Sequence, residues 1–115
     1  MSTKELVHAY YNGWASGDRD KVRSLITDDF RHISQMATFT SADDFLSHCW
    51  KHSEGLTGVE FIREMYEGDQ AFVILKWKMK EGEFADPEYA TIRDGKLAEV
   101  IVLSTDPSFT EMINR

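Results

Sequence analysis

The chain has 115 residues and a formal net charge of −7, with 20 acidic residues against 13 basic ones. This length fits a single domain, residues 1–115, which can bury a core without disulfides or metal. An acidic chain without a basic cluster is repelled by nucleic acids and by anionic membranes, and no stretch approaches the ~20 apolar residues of a membrane span.

The first two predicted elements are helices. Ser2 or Thr3 can cap the first helix, whose apolar positions recur at helical spacing, and Gly17 suits its C-terminal end because glycine tolerates a left-handed conformation. Asp18 can cap a second helix. We expect that helix to bury Val22, Leu25 and Ile26 and to end at Asp28 and Asp29.

A short strand and a third helix follow. Phe30, His32 and Ser34 alternate with their neighbours, which predicts a strand whose return partner is the "MATFT" segment. Ser41 followed by Asp44 resembles a capping box, and it predicts a third helix over residues 42–53.

From Val59 onward the apolar pattern changes to a period of two, which predicts long strands. Turn residues such as Asp94-Gly95 separate them, and Asp-Gly is a strong hairpin signal. The four predicted strands cover residues 59–67, 71–80, 83–93 and 96–104. The expected fold class is therefore α+β, a cone-shaped barrel in which three N-terminal helices pack on a strongly curved, mostly antiparallel sheet.

Two stretches carry a family resemblance. "YYNGWASGDRDKVRSLITDDF" is similar to the opening of nuclear transport factor 2-like proteins, in the branch of SnoaL-like polyketide cyclases and ketosteroid isomerases. "IRDGKLAEVIVL" resembles the last hairpin of that branch. The resemblance implies a cystatin-like fold with a cavity, but the family contains several enzymes as well as non-catalytic binders.

The resemblance also assigns chemical positions. The oxyanion-stabilising tyrosine of the isomerases corresponds to Tyr10, and their second oxyanion donor to Pro87 or Glu88, depending on one gap. Their aspartate base corresponds to Ser34, and the acidic base of the cyclases to Val102. Neither Ser34 nor Val102 can act as such a base by itself.

Three residues are therefore candidate catalytic groups. The Tyr10 hydroxyl either polarises a ligand oxygen or belongs to an ordinary core tyrosine. His32 lies two residues before the missing base and is either a substitute base or a structural histidine. Glu88 is either a buried acid or a turn residue after Asp86-Pro87.

Other residues are predicted to form the cavity wall. They are Trp14, Phe39, Trp50, Trp77, Tyr89, Val100 and Val102, with Tyr11 on the same helix face. His48 and His52 have a spacing seen in metal-binding helices, but no Glu follows His48 and no third ligand is evident. We therefore expect neither a metal nor another cofactor.

Two functions remain open. The first is binding of a small, mainly apolar organic molecule in the cavity, and the second is an enzyme of isomerase, cyclase or dehydratase type that uses Tyr10 and His32. Cys49 is the only cysteine and no signal peptide is evident, so a cytoplasmic location is expected.

Apolar residues on the outer face of the sheet, including Phe72 and Ile74, predict a homodimer. In the alternative, the tail from Phe109 to Ile113 covers that face and the chain stays monomeric.

Overall fold

A computed structural model describes residues 1–104 of the chain. Three α-helices and a 3₁₀ helix cover its first half together with two strands. The helices are α1 (Thr3–Ser16), α2 (Arg19–Ser24), α3 (Ala42–Cys49) and the 3₁₀ helix Trp50–Gly55.

Local capping explains where α1 begins and ends. The Ser2 side chain accepts a hydrogen bond from the Glu5 backbone N–H at 3.1 Å, and the Glu5 carboxylate accepts one from the Ser2 N–H at 3.0 Å. This reciprocal pair is a capping box. At the other end Gly17 has φ 72°, a left-handed conformation that is strained for residues with a Cβ.

Two of the predicted helix boundaries are wrong. The second helix ends at Ser24 rather than at Asp28 and Asp29, because Ile26 already pairs with Leu97 in the sheet. The third α-helix ends at Cys49, and the remainder of the predicted segment 42–53 is tighter 3₁₀ helix. Tertiary pairing thus overrides the helical spacing of Val22, Leu25 and Ile26.

Six strands form one sheet with the order β2-β1-β6-β5-β4-β3. They are β1 (Ile26–Ile33), β2 (Thr38–Phe39), β3 (Leu56–Glu67), β4 (Gln70–Met79), β5 (Gly82–Arg93) and β6 (Lys96–Val102). All neighbouring strands are antiparallel except β1 and β6, which are parallel. The fold is thus α+β with three helices on a mostly antiparallel sheet, as expected.

The sheet described by residues 1–104 is open and does not close into a complete barrel. Strands β2 and β3 lie at its two edges and do not pair with each other. The pairing register shifts on β3 between Phe61 and Arg63, and such irregularities bend and twist a strand. The helices pack on one face of this sheet, and α1 crosses β3, so the core lies between helices and sheet.

No helix within residues 1–104 is long and apolar enough to cross a membrane.

Candidate functional site

Strand β5 brings two acidic side chains into the interior. Alternate residues of this strand face the core, and Asp86 and Glu88 occupy two of these positions, with only 1% and 5% of their surface exposed. Pro87 between them faces the other side. The Pro87 carbonyl accepts a hydrogen bond from the Leu103 N–H at 2.8 Å, just beyond the last β6 pair, Glu88 with Val102. Proline is tolerated here because it lies where pairing with β6 ends.

Each buried carboxyl has one hydrogen-bond donor from the aromatic wall. The Tyr11 hydroxyl donates to Glu88 Oε1 at 2.7 Å, and Trp77 Nε1 donates to Asp86 Oδ2 at 2.8 Å. The second oxygen of Asp86, Oδ1, is buried and has no hydrogen-bond partner among the described residues. A buried polar atom without a partner costs free energy, so it marks a position where a ligand atom can bind.

Burial changes the protonation of both acids. Desolvation, followed by the charge of Asp86, raises the pKa of Glu88 well above its usual value. Desolvation also raises the pKa of Asp86, whereas its interactions with the side chains of Glu88 and Trp77 lower that pKa. The pair therefore holds a proton more strongly than two exposed carboxyls, with Glu88 as its protonated member.

These two acids line a cavity of about 80 Å³ between α1, α3 and the sheet. Its lining consists of Tyr10, Tyr11, Trp14, His32, Phe45, Cys49, His52, Leu56, Trp77, Asp86, Glu88 and Val102. Cys49, His52 and Leu56 are only half-buried, so the mouth of the cavity is on their side. The structure thus brings together seven residues that the sequence analysis selected: Tyr10, Tyr11, Trp14, His32, Trp77, Glu88 and Val102.

Four residues predicted to form the wall do not line this cavity. Phe39 packs behind Phe45, and Trp50 packs behind Trp14 with ring centroids 4.5 Å apart. Val100 is fully buried within the core. Tyr89 lies next to Glu88 on the opposite face of the sheet, because successive side chains of a strand alternate.

His32 is a neutral aromatic wall residue in this structure. Its ring stacks on Phe45 with centroids 4.3 Å apart and an interplanar angle of 22°. Burial lowers the pKa of His32 to about 3. A base with so low a pKa accepts a proton weakly at neutral pH, so this environment favours contact with a ligand over proton abstraction.

The two adjacent tyrosines of α1 have different surroundings. Both are almost fully buried, and the Tyr10 ring packs edge-on against Tyr11 with centroids 4.9 Å apart. The hydroxyl that contacts a carboxyl is that of Tyr11, although the sequence analysis gave the chemical role to Tyr10 and the wall to Tyr11. Burial raises the pKa of both tyrosines well above 10.0, so both are neutral hydrogen-bond donors.

The sequence analysis missed five lining residues: Phe45, Cys49, His52, Leu56 and Asp86. A signal for Asp86 was present, since Phe84, Asp86, Glu88, Ala90 and Ile92 are spaced two apart within one predicted strand. The Asp-Pro pair indicated a turn instead. Within residues 1–104, no group of three or more His, Cys, Asp or Glu residues is arranged to hold a metal ion.

Comparison with solved structures identifies the same fold in other proteins. An NTF2-like protein of unknown function from Cytophaga hutchinsonii has a TM-score of 0.76 at 13% identity, covering 96% of each chain. A candidate ketosteroid isomerase from Kribbella flavida has a TM-score of 0.76 at 15% identity, covering 91% of this chain and 81% of its own. A candidate polyketide cyclase from Sinorhizobium meliloti has a TM-score of 0.73 at 17% identity, covering 89% and 99%.

Other structural neighbours are described as having a cystatin-like fold. No match is found among curated protein sequences. The family model for the SnoaL-like domain matches residues 7–100, a span that contains the buried acids and most of the lining. The chain belongs to the SnoaL-like domain family.

Proposed function

We propose that the protein binds a small, mainly apolar organic molecule in the cavity described above, with one polar group directed at the carboxyl pair. The observation that carries this proposal is the unpartnered Oδ1 of Asp86 at the wall of an otherwise aromatic cavity. Binding sites for small molecules commonly combine apolar walls with a few polar groups that set the orientation of the ligand.

The size of the cavity limits the ligand. A water molecule needs ~10–15 Å³ by the same measure, so about 80 Å³ accommodates roughly five to eight water-sized groups. A substituted benzene ring is of this size, and a larger molecule has to extend through the mouth beside Cys49, His52 and Leu56.

Benzyl alcohol is a suitable test probe, because it combines an aromatic ring with one hydroxyl donor. We expect it to shift the NMR signal of the Trp77 indole N–H with a Kd near ~1 mM, which corresponds to about −4 kcal/mol. Val102→Phe fills the cavity and should abolish the shift. Ile101→Phe adds the same bulk on the opposite face of β6 and should bind like the wild type.

The proposal fails if benzyl alcohol leaves the Trp77 signal unchanged at tens of millimolar, or if Val102→Phe binds it as well as Ile101→Phe does.

The alternative is an enzyme of isomerase, cyclase or dehydratase type. The raised pKa of Glu88 favours it, since the protonated carboxyl can donate a hydrogen bond to a carbonyl while Asp86 Oδ1, which has no hydrogen-bond partner among the described residues, accepts a proton. Two structural neighbours bear the names of such enzymes, although their low identity supports the fold alone. Tyr10 and His32 would then position the substrate.

Proton abstraction can be tested with cyclohexanone in D₂O. An enzyme of this type should accelerate exchange of the α-protons, which NMR measures, and Asp86→Asn should remove the acceleration. Exchange at the rate of buffer alone excludes this alternative while leaving ligand binding untouched.

A further inference from the structure

The charges around the cavity are unbalanced. Asp86 and Glu88 lie on one strand two residues apart, and no Lys or Arg is among the described residues that line the cavity. A carboxylate in an apolar interior without a counter-charge costs several kcal/mol. The carboxyl pair can lower this cost either by holding a proton or by binding a cation.

The nearest lysines of the sheet cannot supply that cation, because they lie on its other face. Lys76 and Lys78 alternate with the inward residues of β4. Lys76 Nζ lies 3.8 Å from Glu83 Oε1, and Lys78 Nζ lies 3.6 Å from Glu60 Oε1. Of the two histidines in the lining, His32 is kept neutral by burial, and His52 is half-buried at the mouth.

The aromatic rings around the acids suit a cation as well. Five lining residues have an aromatic ring other than imidazole: Tyr10, Tyr11, Trp14, Phe45 and Trp77. The faces of such rings attract cations, by ~2 kcal/mol or more where the site is desolvated. Carboxylate and rings together form the kind of site that binds an organic ammonium group.

We propose that the ligand of the cavity is a small organic amine whose protonated nitrogen donates a hydrogen bond to Asp86 Oδ1 while its apolar part packs against the aromatic wall. This inference rests on the proposed function and specifies its ligand class. In the free protein, water can satisfy Oδ1, whereas a bound cation also balances the charge of the pair.

Benzylamine and benzyl alcohol form a matched pair of probes, because they share one shape and differ in charge at neutral pH. We expect benzylamine to bind at least about tenfold more tightly, since its ammonium group adds a Coulombic attraction to the carboxylate and a cation–π attraction to the rings, both of which the alcohol lacks. Asp86→Asn should remove this preference by weakening benzylamine about tenfold more than it weakens benzyl alcohol. Glu83→Gln removes an exposed acid of the same strand and should change neither affinity.

The net charge of −7 attracts any cation weakly, so salt provides a second control that needs no variant. At ~1 M salt the Debye length is about 3 Å, and diffuse attraction is screened, whereas a contact inside the cavity is screened much less. The preference of the wild type for benzylamine should therefore survive high salt.

The outcomes separate the two proposals. Equal or weaker binding of benzylamine, or a preference that disappears at high salt or persists in Asp86→Asn, overturns the amine inference while benzyl alcohol binding upholds the proposed function. Absence of binding by both probes overturns both. If Asp86→Asn does not fold, the salt dependence of benzylamine and benzyl alcohol binding to the wild type tests the amine inference.

Discussion

At the scale of single residues, the carboxyl of Glu88 is the most informative group. It is buried, accepts a hydrogen bond from Tyr11 and lies beside a second acid, Asp86. Because its raised pKa favours the protonated form, this carboxyl can donate a hydrogen bond as well as accept one. Both the binding of a ligand and any chemistry in the cavity depend on that proton.

Glu88 should make folding stability depend on pH. Its folded pKa is raised above the 4.5 of an exposed Glu, so the contribution of its proton is fully present below about pH 4.5 and is lost as pH rises through the folded pKa. The Glu88→Gln side chain cannot lose a proton in this pH range, but its amide oxygen can still accept the hydrogen bond from the Tyr11 hydroxyl. Between about pH 5.5 and pH 8.5, urea unfolding should therefore show the wild type losing stability relative to Glu88→Gln, by at most ~1.4 kcal/mol per pH unit.

Glu83→Gln is the control for this prediction, because Glu83 is exposed on the same strand. Its stability should follow that of the wild type at every pH. Parallel curves for the wild type and Glu88→Gln would show that Glu88 has the same pKa in the folded and unfolded chain.

Ser34 has the position of the base in ketosteroid isomerases, and the structure places it in a turn at the end of β1. Its hydroxyl accepts hydrogen bonds from the N–H groups of Met36 and Ala37 at 3.2 and 3.3 Å, outside the cavity lining. A cavity of about 80 Å³ is also too small to enclose a fused-ring steroid.

We therefore expect no isomerisation of a 5-ene-3-ketosteroid at rates comparable to the isomerases, because loss of a general base costs about 10²–10⁴-fold. A spectrophotometric assay of the wild type checks this. Robust turnover that persists in Ser34→Ala would show that another residue acts as the base.

At the scale of elements, the site depends on how α1 and β5 face each other. Helix α1 contributes Tyr10, Tyr11 and Trp14, and β5 contributes the two acids. The contact between α1 and α2 holds the helix in place. There the Asp18 N–H donates to the Gly13 carbonyl at 2.9 Å, and a Cβ built on Gly13 would lie 2.7 Å from Val22 Cγ2.

Gly13→Ala should therefore destabilise the protein. The clash with Val22 costs ~1–3 kcal/mol, and the higher helix propensity of alanine returns about 1 kcal/mol, so we expect a net loss on the order of 1 kcal/mol. Urea denaturation measures it. Asn12→Ala, at an exposed position of α1, should be neutral or stabilising. Equal stability of Gly13→Ala and Asn12→Ala would contradict this prediction, because it would show that α1 and α2 accommodate the added methyl group without loss of stability.

At the scale of the whole molecule, apolar residues form a row across the outer face of the sheet. The strand register pairs Met65 with Phe72, Phe72 with Tyr89, Tyr89 with Ile101 and Ile101 with Ile33. Met65 is 68% exposed. Val59 and Phe61 of β3 pack against the core although Met65 lies on the outer face, because the register shift after Phe61 reverses the alternation of the strand.

We expect two copies to bury this row in a homodimer, because it spans five strands and monomers rarely leave so large an apolar face uncovered. Lys76 and Lys78 lie on the same face and near acids of their own chain, Glu83 and Glu60. Ile74→Lys should dissociate the dimer, whereas Asn12→Lys, which adds the same charge on α1, should not.

Sedimentation at micromolar concentration measures the assembly. A wild-type species of 13.3 kDa would contradict the dimer. The segment from Phe109 to Ile113, which is the alternative cover for this face, lies outside the described residues.

The sequence by itself determined the elements and most of their faces. Caps at Ser2, Asp18 and Ser41 and a change of period near Val59 depend on neighbours in the chain, so they can be read locally. The family pattern selected Tyr10 and Glu88, with Glu88 left as either a buried acid or a turn residue, and the period of two placed His32 on the same strand face as Ser34.

Only the tertiary structure decided which of these groups meet. Tyr10 and Tyr11 are adjacent on α1 and equally buried, and the choice between them depends on a carboxyl 77 positions away in the chain. The Asp-Pro pair indicates a turn locally, but pairing of β5 with β4 keeps Asp86 in a strand and directs it inward. Long-range packing sets both outcomes, and no local pattern of residues encodes the angle at which a helix crosses a sheet.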